Sequence, residues 1–168
     1  NATSGDWTYA PNSNFNGLDQ FTVTVTDDLG GTTSQIVALT INPVDDDAII
    51  SGDLSSTAQE DSSISGSINA TDVEGLTDGS YFSISSTATK GVASIHETSG
   101  DWTYTPNPNY NGLDQFTVTV TDDLGGTTSQ IVALSINPLD DAAIISGDLS
   151  STAQEDSSVS GTINATDL

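Results

Sequence analysis

The 168-residue chain is strongly acidic, with 24 Asp and Glu against a single Lys or Arg and a formal net charge of −23. A field of this sign repels nucleic acid and anionic membranes alike, so neither is an expected partner. The absence of Cys excludes disulfides and thiol chemistry, and no apolar run approaches the roughly 20 residues of a membrane-spanning helix.

The chain repeats itself with a period of 95 residues, and residues 1–73 match residues 96–168 at all but 11 positions. A repeat of this length predicts one complete unit at 47–141. The C-terminal part of a preceding unit is predicted at 1–46, and the N-terminal part of a following unit at 142–168. Because the chain starts at Asn1 and stops inside a repeated word, we expect it to be an excerpt from a longer tandem array.

Apolar and polar residues alternate with a period of two along almost the whole chain, which is typical of strands with one buried face. Gly, Asn, Asp and Pro separate these runs every eight to twelve residues, a pattern that favours an antiparallel β-sandwich. We predict about seven strands in the complete unit, at 48–53, 62–70, 80–86, 91–96, 101–105, 115–121 and 127–137.

The alternation also predicts which side chains form the core of the complete unit. These are Trp102, Tyr104, Phe116, Val118, Val120, Val132, Leu134 and Ile136. Exposed Trp102 and Tyr104 rings could instead stack on sugars, but large aromatic residues dominate sandwich cores, so we favour burial. The only histidine, His96, is replaced by Asn1 in the preceding copy, which favours a surface residue over a catalytic one.

Acidic residues concentrate at the two ends of the predicted sandwich. Counting antiparallel strands places the 71–79 and 121–126 loops beside the linker at 43–48, and the 59–62 turn beside the linker at 138–142. At the first of these ends the predicted neighbours are Asp45, Asp46, Asp47, Asp72, Glu74, Asp78, Asp122 and Asp123. Carboxylates without cationic partners repel one another, and Ca²⁺, with six to eight oxygen ligands in flexible geometry, would remove that repulsion better than Mg²⁺.

Several motifs give the chain a family resemblance. The run "DWTYTPNPNYNGLDQFTVTVTDDLGGT", followed by "INPLDDA", resembles the bacterial cadherin-like tandem repeats, including VCBS-type units, of large secreted adhesins of the RTX type. The resemblance covers the whole chain. It implies an all-β, Ig/cadherin-like sandwich, export by type I secretion, a place on the bacterial cell surface and a requirement for Ca²⁺.

The resemblance also implies where Ca²⁺ binds, because cadherin-type repeats hold the ion between consecutive domains. Carried over to this chain, the first junction would use Asp45, Asp46, Asp47, Asp72 and Glu74, with Asp122 as a further candidate. The second junction would use Glu60, Asp140, Asp141 and Asp167. The linker reads Asp-Asp-Asp or Asp-Asp-Ala where cadherins have Asp-x-Asn-Asp-Asn, so the exact ligand set stays open.

The function that these observations favour is mechanical. Each unit would act as an extender that projects a distal binding domain from the cell, stiffened by Ca²⁺ and in contact with neighbouring repeats or other copies of the chain. The alternative is a binding module that contacts a surface polysaccharide or a partner protein directly, in adhesion or biofilm cohesion. We expect no enzymatic activity, because the acids recur in every copy and no nucleophile has a suitable partner.

Overall fold

The computed structural model describes residues 4–167, and every regular element in that part of the chain is a β-strand. The described residues therefore include no helix long and apolar enough to cross a membrane. The twelve strands are β1 (Gly17–Thr26), β2 (Thr32–Ile41), β3 (Ile49–Gly52), β4 (Ser55–Gln59), β5 (Ile64–Thr71), β6 (Phe82–Ser86), β7 (Gly91–Ile95), β8 (Asp101–Pro106), β9 (Gly112–Thr121), β10 (Thr127–Asn137), β11 (Ile144–Gly147) and β12 (Ile163–Thr166).

Strands β3 to β10 form two four-stranded sheets that enclose one core. One sheet has the order β3-β5-β8-β7 and the other β4-β10-β9-β6. All eight residues that the period-two pattern assigned to the core are buried, together with Ala48, Ile68 and Phe82. The predicted β-sandwich is confirmed, and its core lies where the alternation placed it.

The structure has one strand more than the prediction. β3 corresponds to the predicted strand at 48–53 and is antiparallel to β5; the chain then crosses to the other sheet and forms β4, parallel to β10. Gly52, with a φ of +108°, begins the crossing, and the Asp53 carboxylate accepts a hydrogen bond from the Ser67 N–H at 2.9 Å. The sequence of β4, "SSTAQ", carries no large apolar residue, which is why periodicity predicted a single strand at 48–53 and missed the second.

Two aromatic rings and one glycine organise the centre of the core. Trp102 and Phe116 meet edge to face, with ring centroids 5.5 Å apart, a favoured aromatic geometry. The indole of Trp102 lies over Gly66, where a Cβ atom would come within 2.5 Å of the ring. This position of β5 therefore has to be glycine for the tryptophan to lie flat across the strand.

The remaining strands form two antiparallel pairs, the β1–β2 hairpin and the pair β11–β12, whose strands are joined by residues 148–162. Within residues 4–167 each pair is a two-stranded sheet. Their sequences repeat those of β9–β10 and of β3 with the second half of β5. They therefore correspond to two fragments of the same sandwich.

Candidate metal centres at the two junctions

The upper junction comprises Asp45, Asp46, Asp47, Asp72, Glu74 and Asp122, where the 43–48 linker meets the sandwich. Two carboxylates lie against Gly126: a Cβ atom there would overlap both Asp45 and Asp122. Asp122 is buried, and its Oδ1 accepts hydrogen bonds from the N–H groups of Leu124 and Gly126, both at 2.9 Å. The turn thus fixes Asp122, and the linker brings Asp45 beside it.

Two acids of the 71–79 loop complete the upper junction. Asp72 Oδ1 accepts the N–H of Glu74 at 2.8 Å and that of Gly75 at 3.1 Å. Glu74 in turn accepts the N–H of Asp46 through Oε2 at 3.1 Å, which ties the loop to the linker. The second oxygen of Asp72, Oδ2, is buried and has no hydrogen-bond partner.

Negative charges act on one another at the upper junction. The pKa of Asp45 is raised above its usual range, first by desolvation, then by the charge of Asp122 and a hydrogen bond with it, and then by the charges of Asp72 and Asp47. Desolvation and the like charges around Asp45 both disfavour its ionised form.

The lower junction comprises Glu60, Asp61, Asp140, Asp141 and Asp167, where the chain leaves the sandwich. Glu60 is 3% exposed and accepts the Leu139 N–H through Oε1 at 2.7 Å and the Asn111 amide through Oε2 at 3.4 Å. Asp141 Oδ2 is buried without a partner, as Asp72 Oδ2 is at the upper junction. Each junction therefore holds one orphaned carboxylate oxygen.

Asp141 is the electrostatic centre of the lower junction. Its pKa is raised by desolvation first and then by the charges of Asp61, Glu60, Asp167 and Asp140, in that order. The charges that act on Asp141 thus include those of Glu60, Asp140 and Asp167, the other three acids that the resemblance assigned to this junction. It adds Asp61, which sequence reasoning missed although Asp61 follows Glu60 in the same turn.

Two other acids have structural partners. Asp123 accepts the N–H and hydroxyl of Thr77 at 2.8 and 2.6 Å, so it closes the 71–79 loop. Asp114, also missed from the sequence, is buried and accepts the Tyr104 hydroxyl at 2.9 Å and the Lys90 N–H at 2.8 Å.

The donor set at both junctions suits a hard cation, because carboxylate and backbone oxygens are the ligands that Ca²⁺ prefers. Among residues 4–167, however, no group of three or more acids or histidines already has the spacing of a metal site. A bound ion would therefore require the carboxylates to rotate toward a shared centre. The orphaned oxygens of Asp72 and Asp141 are the atoms that such a rotation would satisfy.

Comparison with solved structures defines the class of fold. The chain resembles protocadherin gamma B7 extracellular cadherin domains 1–4, with a TM-score of 0.54 and 19% identity over 90% of this chain and 41% of that one. Lower similarity is found to the human desmocollin-1 ectodomain (TM-score 0.41, 19% identity, 89% of this chain and 33% of that one). It is also found to domains 1–6 of the surface layer protein SbsC (TM-score 0.39, 14% identity, 89% and 28%). The chain spans less than half of each of these proteins, and its fold is a cadherin-like β-sandwich.

A family model identifies the lineage. The model of the bacterial Ig domain matches residues 1–40 and 45–135, so the chain belongs to the bacterial Ig domain family. No curated protein sequence matches it. The family match covers parts of two successive copies of the repeat, in agreement with the 95-residue period of the sequence.

Proposed function

We propose that this chain is a stretch of extender repeats from an extracellular bacterial surface protein, held in line by Ca²⁺ at the junctions between units. One observation carries the proposal: each junction contains a buried, unpartnered carboxylate oxygen, on Asp72 and on Asp141, among further acids. Burying such an oxygen without a partner costs free energy. A divalent cation would supply the missing partner at both places.

The placement of the acids connects this chemistry to a mechanical role. At the lower junction, Glu60 and Asp61 belong to the complete sandwich, Asp140 and Asp141 to the linker, and Asp167 to the following segment. An ion shared by these groups would join two consecutive units through their linker. With the ion bound, the linker would lose freedom to bend, and without it, repulsion would push the three segments apart.

The expected strength is that of an extracellular calcium module, with Kd of about 10⁻⁴–10⁻³ M. A cation that binds only the ordered junction stabilises it by about 2.7 kcal/mol at a hundredfold excess over Kd. The junctions would then be filled in calcium-rich surroundings and empty in a cytosol with little calcium, which suits export before folding.

The alternative, a module that binds polysaccharide directly, has less support. Sugar stacking requires exposed rings, whereas Trp102, Tyr104 and Phe116 are buried in the core. The outward side chains of β9 and β10 include Thr119 and Ser129, whose hydroxyls bond to each other at 2.7 Å. Such a face is solvated and offers no aromatic platform.

The proposal is tested by titrating the chain with CaCl₂ in a calorimeter, with parallel melting curves and X-ray scattering. We expect heat of binding, a higher melting temperature and a longer, narrower scattering envelope. The double variant Asp45→Ala/Asp46→Ala and the variant Asp72→Ala should lose the response of the upper junction, and Asp141→Ala that of the lower junction.

The control is Asp28→Ala, which removes the same charge from an exposed position on the turn between β1 and β2. It should bind Ca²⁺ like the unsubstituted chain. MgCl₂ should give a much weaker response, because Mg²⁺ releases its water reluctantly. Melting and shape that stay unchanged up to 10 mM CaCl₂ would contradict the proposal and leave the acids as solvated residues of turns.

A further inference from the structure

Strand β7 of the complete sandwich has one open side. It is the last strand of the sheet β3-β5-β8-β7, and no strand of residues 4–167 lies beyond it. Just before β7, the Lys90 carbonyl accepts the N–H of residue 107 at 2.8 Å, and just after it the His96 N–H donates to the carbonyl of residue 101 at 2.8 Å. Because bonded and non-bonded pairs alternate in an antiparallel ladder, every second residue between Lys90 and His96 turns its backbone groups away from β8. These residues are Gly91, Ala93 and Ile95.

The other three edges of the sandwich are protected against a further strand. The pairing of β6 is irregular between Ile84 and Ser86, β3 has only four residues, and β4 lies between Asp53 and Glu60. Bulges, short length and charge are the usual means by which edge strands avoid pairing. In contrast, β7 pairs regularly with β8 over all five of its residues, and its sequence "GVASI" contains neither a charge nor Pro.

The distribution of charge indicates which partner suits this edge. Residues 79–96, which include β6 and β7, are the longest stretch of the sequence without Asp or Glu. The same stretch contains Lys90, the only Lys or Arg, and His96, the only histidine. Two copies that meet here do not bring carboxylates together, as they would at the junctions, whereas a cationic partner would favour the acidic junctions. The uncharged edge therefore fits a second copy of itself.

We propose that β7 of one copy pairs antiparallel with β7 of a second copy, so that two sandwiches share one eight-stranded sheet. A two-fold axis at Ala93 places Gly91 opposite Ile95 of the other copy, and the outward backbone groups of all three residues are then paired. A shift by two residues would place Gly91 opposite Glu97, whose carbonyl already accepts two N–H groups, or Ile95 opposite Thr89, whose N–H already donates to a carboxylate. The symmetric register is therefore the favoured one.

This contact is lateral and leaves both junctions accessible. It depends neither on Ca²⁺ nor on the proposed extender role. The two copies of Lys90 lie at opposite ends of the shared ladder, about 20 Å apart at 3.4 Å per residue, and each lies across from His96 of the other copy and beside Glu97. Antiparallel strands make the two sandwiches point in opposite directions. Extender arrays joined in this way would run in opposite directions, as arrays from two facing cells do.

The test is sedimentation equilibrium of the 168-residue chain over a hundredfold range of concentration up to about 1 mM, because five residues a side form a weak, transient interface. A calcium chelator is present throughout. We expect the average mass to rise from 17.2 kDa toward twice that value and no further, since a two-fold contact closes on itself. Association should increase with NaCl, because screening weakens the repulsion between two chains of net charge −23. A chain that stays at 17.2 kDa under all these conditions would overturn the proposal.

A matched pair of variants tests whether β7 is the contact. Val92 of β7 is 71% exposed, and Leu113 of the other sheet is 78% exposed. Val92→Glu places two carboxylates on neighbouring strands of the dimer and should raise the dissociation constant at least tenfold. Leu113→Glu adds the same charge away from the contact and should change it less than twofold. Both side chains point to solvent, so the melting curves of the two variants in dilute solution should agree. Equal weakening by both variants would contradict pairing through β7.

Register is tested with single cysteines, which are unambiguous in a chain without Cys. In the symmetric register Val92 lies opposite Ser94 of the other copy in a non-hydrogen-bonded pair, with Cα atoms about 4.5 Å apart, which is within reach of a disulfide. Identical residues are diagonal neighbours, about 7–8 Å apart. Chains carrying Val92→Cys and chains carrying Ser94→Cys are mixed in equal amounts and oxidised mildly, and mass spectrometry distinguishes the products. The mixed disulfide should exceed the two symmetric ones together several-fold. Equal amounts, which random collision produces, would overturn the proposal.

Discussion

A single buried carboxylate connects the core of the sandwich to its surface loops. Asp114 accepts the hydroxyl of Tyr104 at 2.9 Å and the N–H groups of Lys90 and Thr89 at 2.8 and 3.2 Å. Burial acts to raise the pKa of Asp114, but the backbone hydrogen bonds from Lys90, Thr89 and Gln115 and the hydrogen bond from Tyr104 together outweigh it, and the pKa is lowered. Burial, together with the hydrogen bond to Asp114, raises the pKa of Tyr104. The pair therefore stays a neutral donor and an ionised acceptor at neutral pH.

Asp114→Asn should cost about 1.5–3 kcal/mol of unfolding free energy at pH 7, the range for hydrogen bonds to charged groups. A folded-state pKa below the unfolded one gives stability that is present above the unfolded pKa and lost as pH falls through the folded pKa. The difference in unfolding free energy between Asp114→Asn and the unsubstituted chain should therefore become smaller below about pH 4. Urea unfolding at several pH values measures this difference, and the exposed substitution Asp28→Asn is the control. A difference that stays constant down to pH 2 would contradict the role of the ionised carboxylate.

Phe116 offers a direct test of the core, because its counterpart 95 residues earlier, Phe21, is less deeply buried. Phe116→Ala should lower the stability of the sandwich by about 3–5 kcal/mol, the usual cost of removing a buried Phe. The control is Phe21→Ala, at the corresponding position of the β1–β2 hairpin, where the ring is only half buried. The midpoint of denaturant unfolding should fall strongly for Phe116→Ala and only slightly for Phe21→Ala. Equal changes in midpoint would contradict the prediction, because they would mean that the two rings contribute equally to stability.

At the scale of the element, β4 shows how one strand decides the topology. The Ala133 N–H donates to the Leu54 carbonyl at 3.0 Å, and the Glu60 N–H donates to the Asn137 carbonyl at 2.9 Å. Backbone groups of alternate residues point to the same side of a strand. Since Leu54 and Glu60 both bond to β10, the N–H groups of Ser56 and Ala58, which lie between them, also point to β10. The strand thus covers one edge of the second sheet, although its side chains contribute little apolar surface.

Ser56→Pro should remove one ladder hydrogen bond and leave a β10 carbonyl without its donor, at a cost of about 1–3 kcal/mol. Thr57→Pro is the matched control, since the N–H of Thr57 points away from β10. Melting temperature should fall clearly for the first variant and less for the second. Identical losses would show that proline acts there through backbone strain, and that the hydrogen bond to β10 matters little.

At the scale of the whole molecule, charge dominates. A net charge of −23 with one Lys or Arg means that almost every electrostatic contact between residues is repulsive. Self-repulsion of this kind destabilises the compact state. Acidic residues that would have little effect on stability in a protein of balanced charge therefore lower it here, most of all at the two junctions.

Without calcium, the melting temperature should rise with NaCl, because the Debye length falls from about 30 Å at 0.01 M to about 3 Å at 1 M. The rise should be gradual and should need far higher concentrations of NaCl than of CaCl₂. Scanning calorimetry in the presence of a calcium chelator measures the melting temperature at each salt concentration. Choline chloride in place of NaCl is the control for effects that are specific to Na⁺. A melting temperature that falls with salt would indicate stabilising ion pairs and contradict a repulsive balance.

The alternation of residues determined seven of the eight strands of the complete sandwich, the buried face and all eight predicted core residues, because a period of two is a local property of the chain. The sequence alone also grouped Asp45 with Asp72 and Asp122, since counting strands decides at which end each loop lies. Tertiary structure alone revealed the parallel pairing of β4, the burial of Asp114 and the effect of the Asp61 charge on Asp141. Those features depend on segments distant in the chain, and so does burial itself: Val25 and Val120 share one local sequence, and only the opposite sheet makes one of them part of a core.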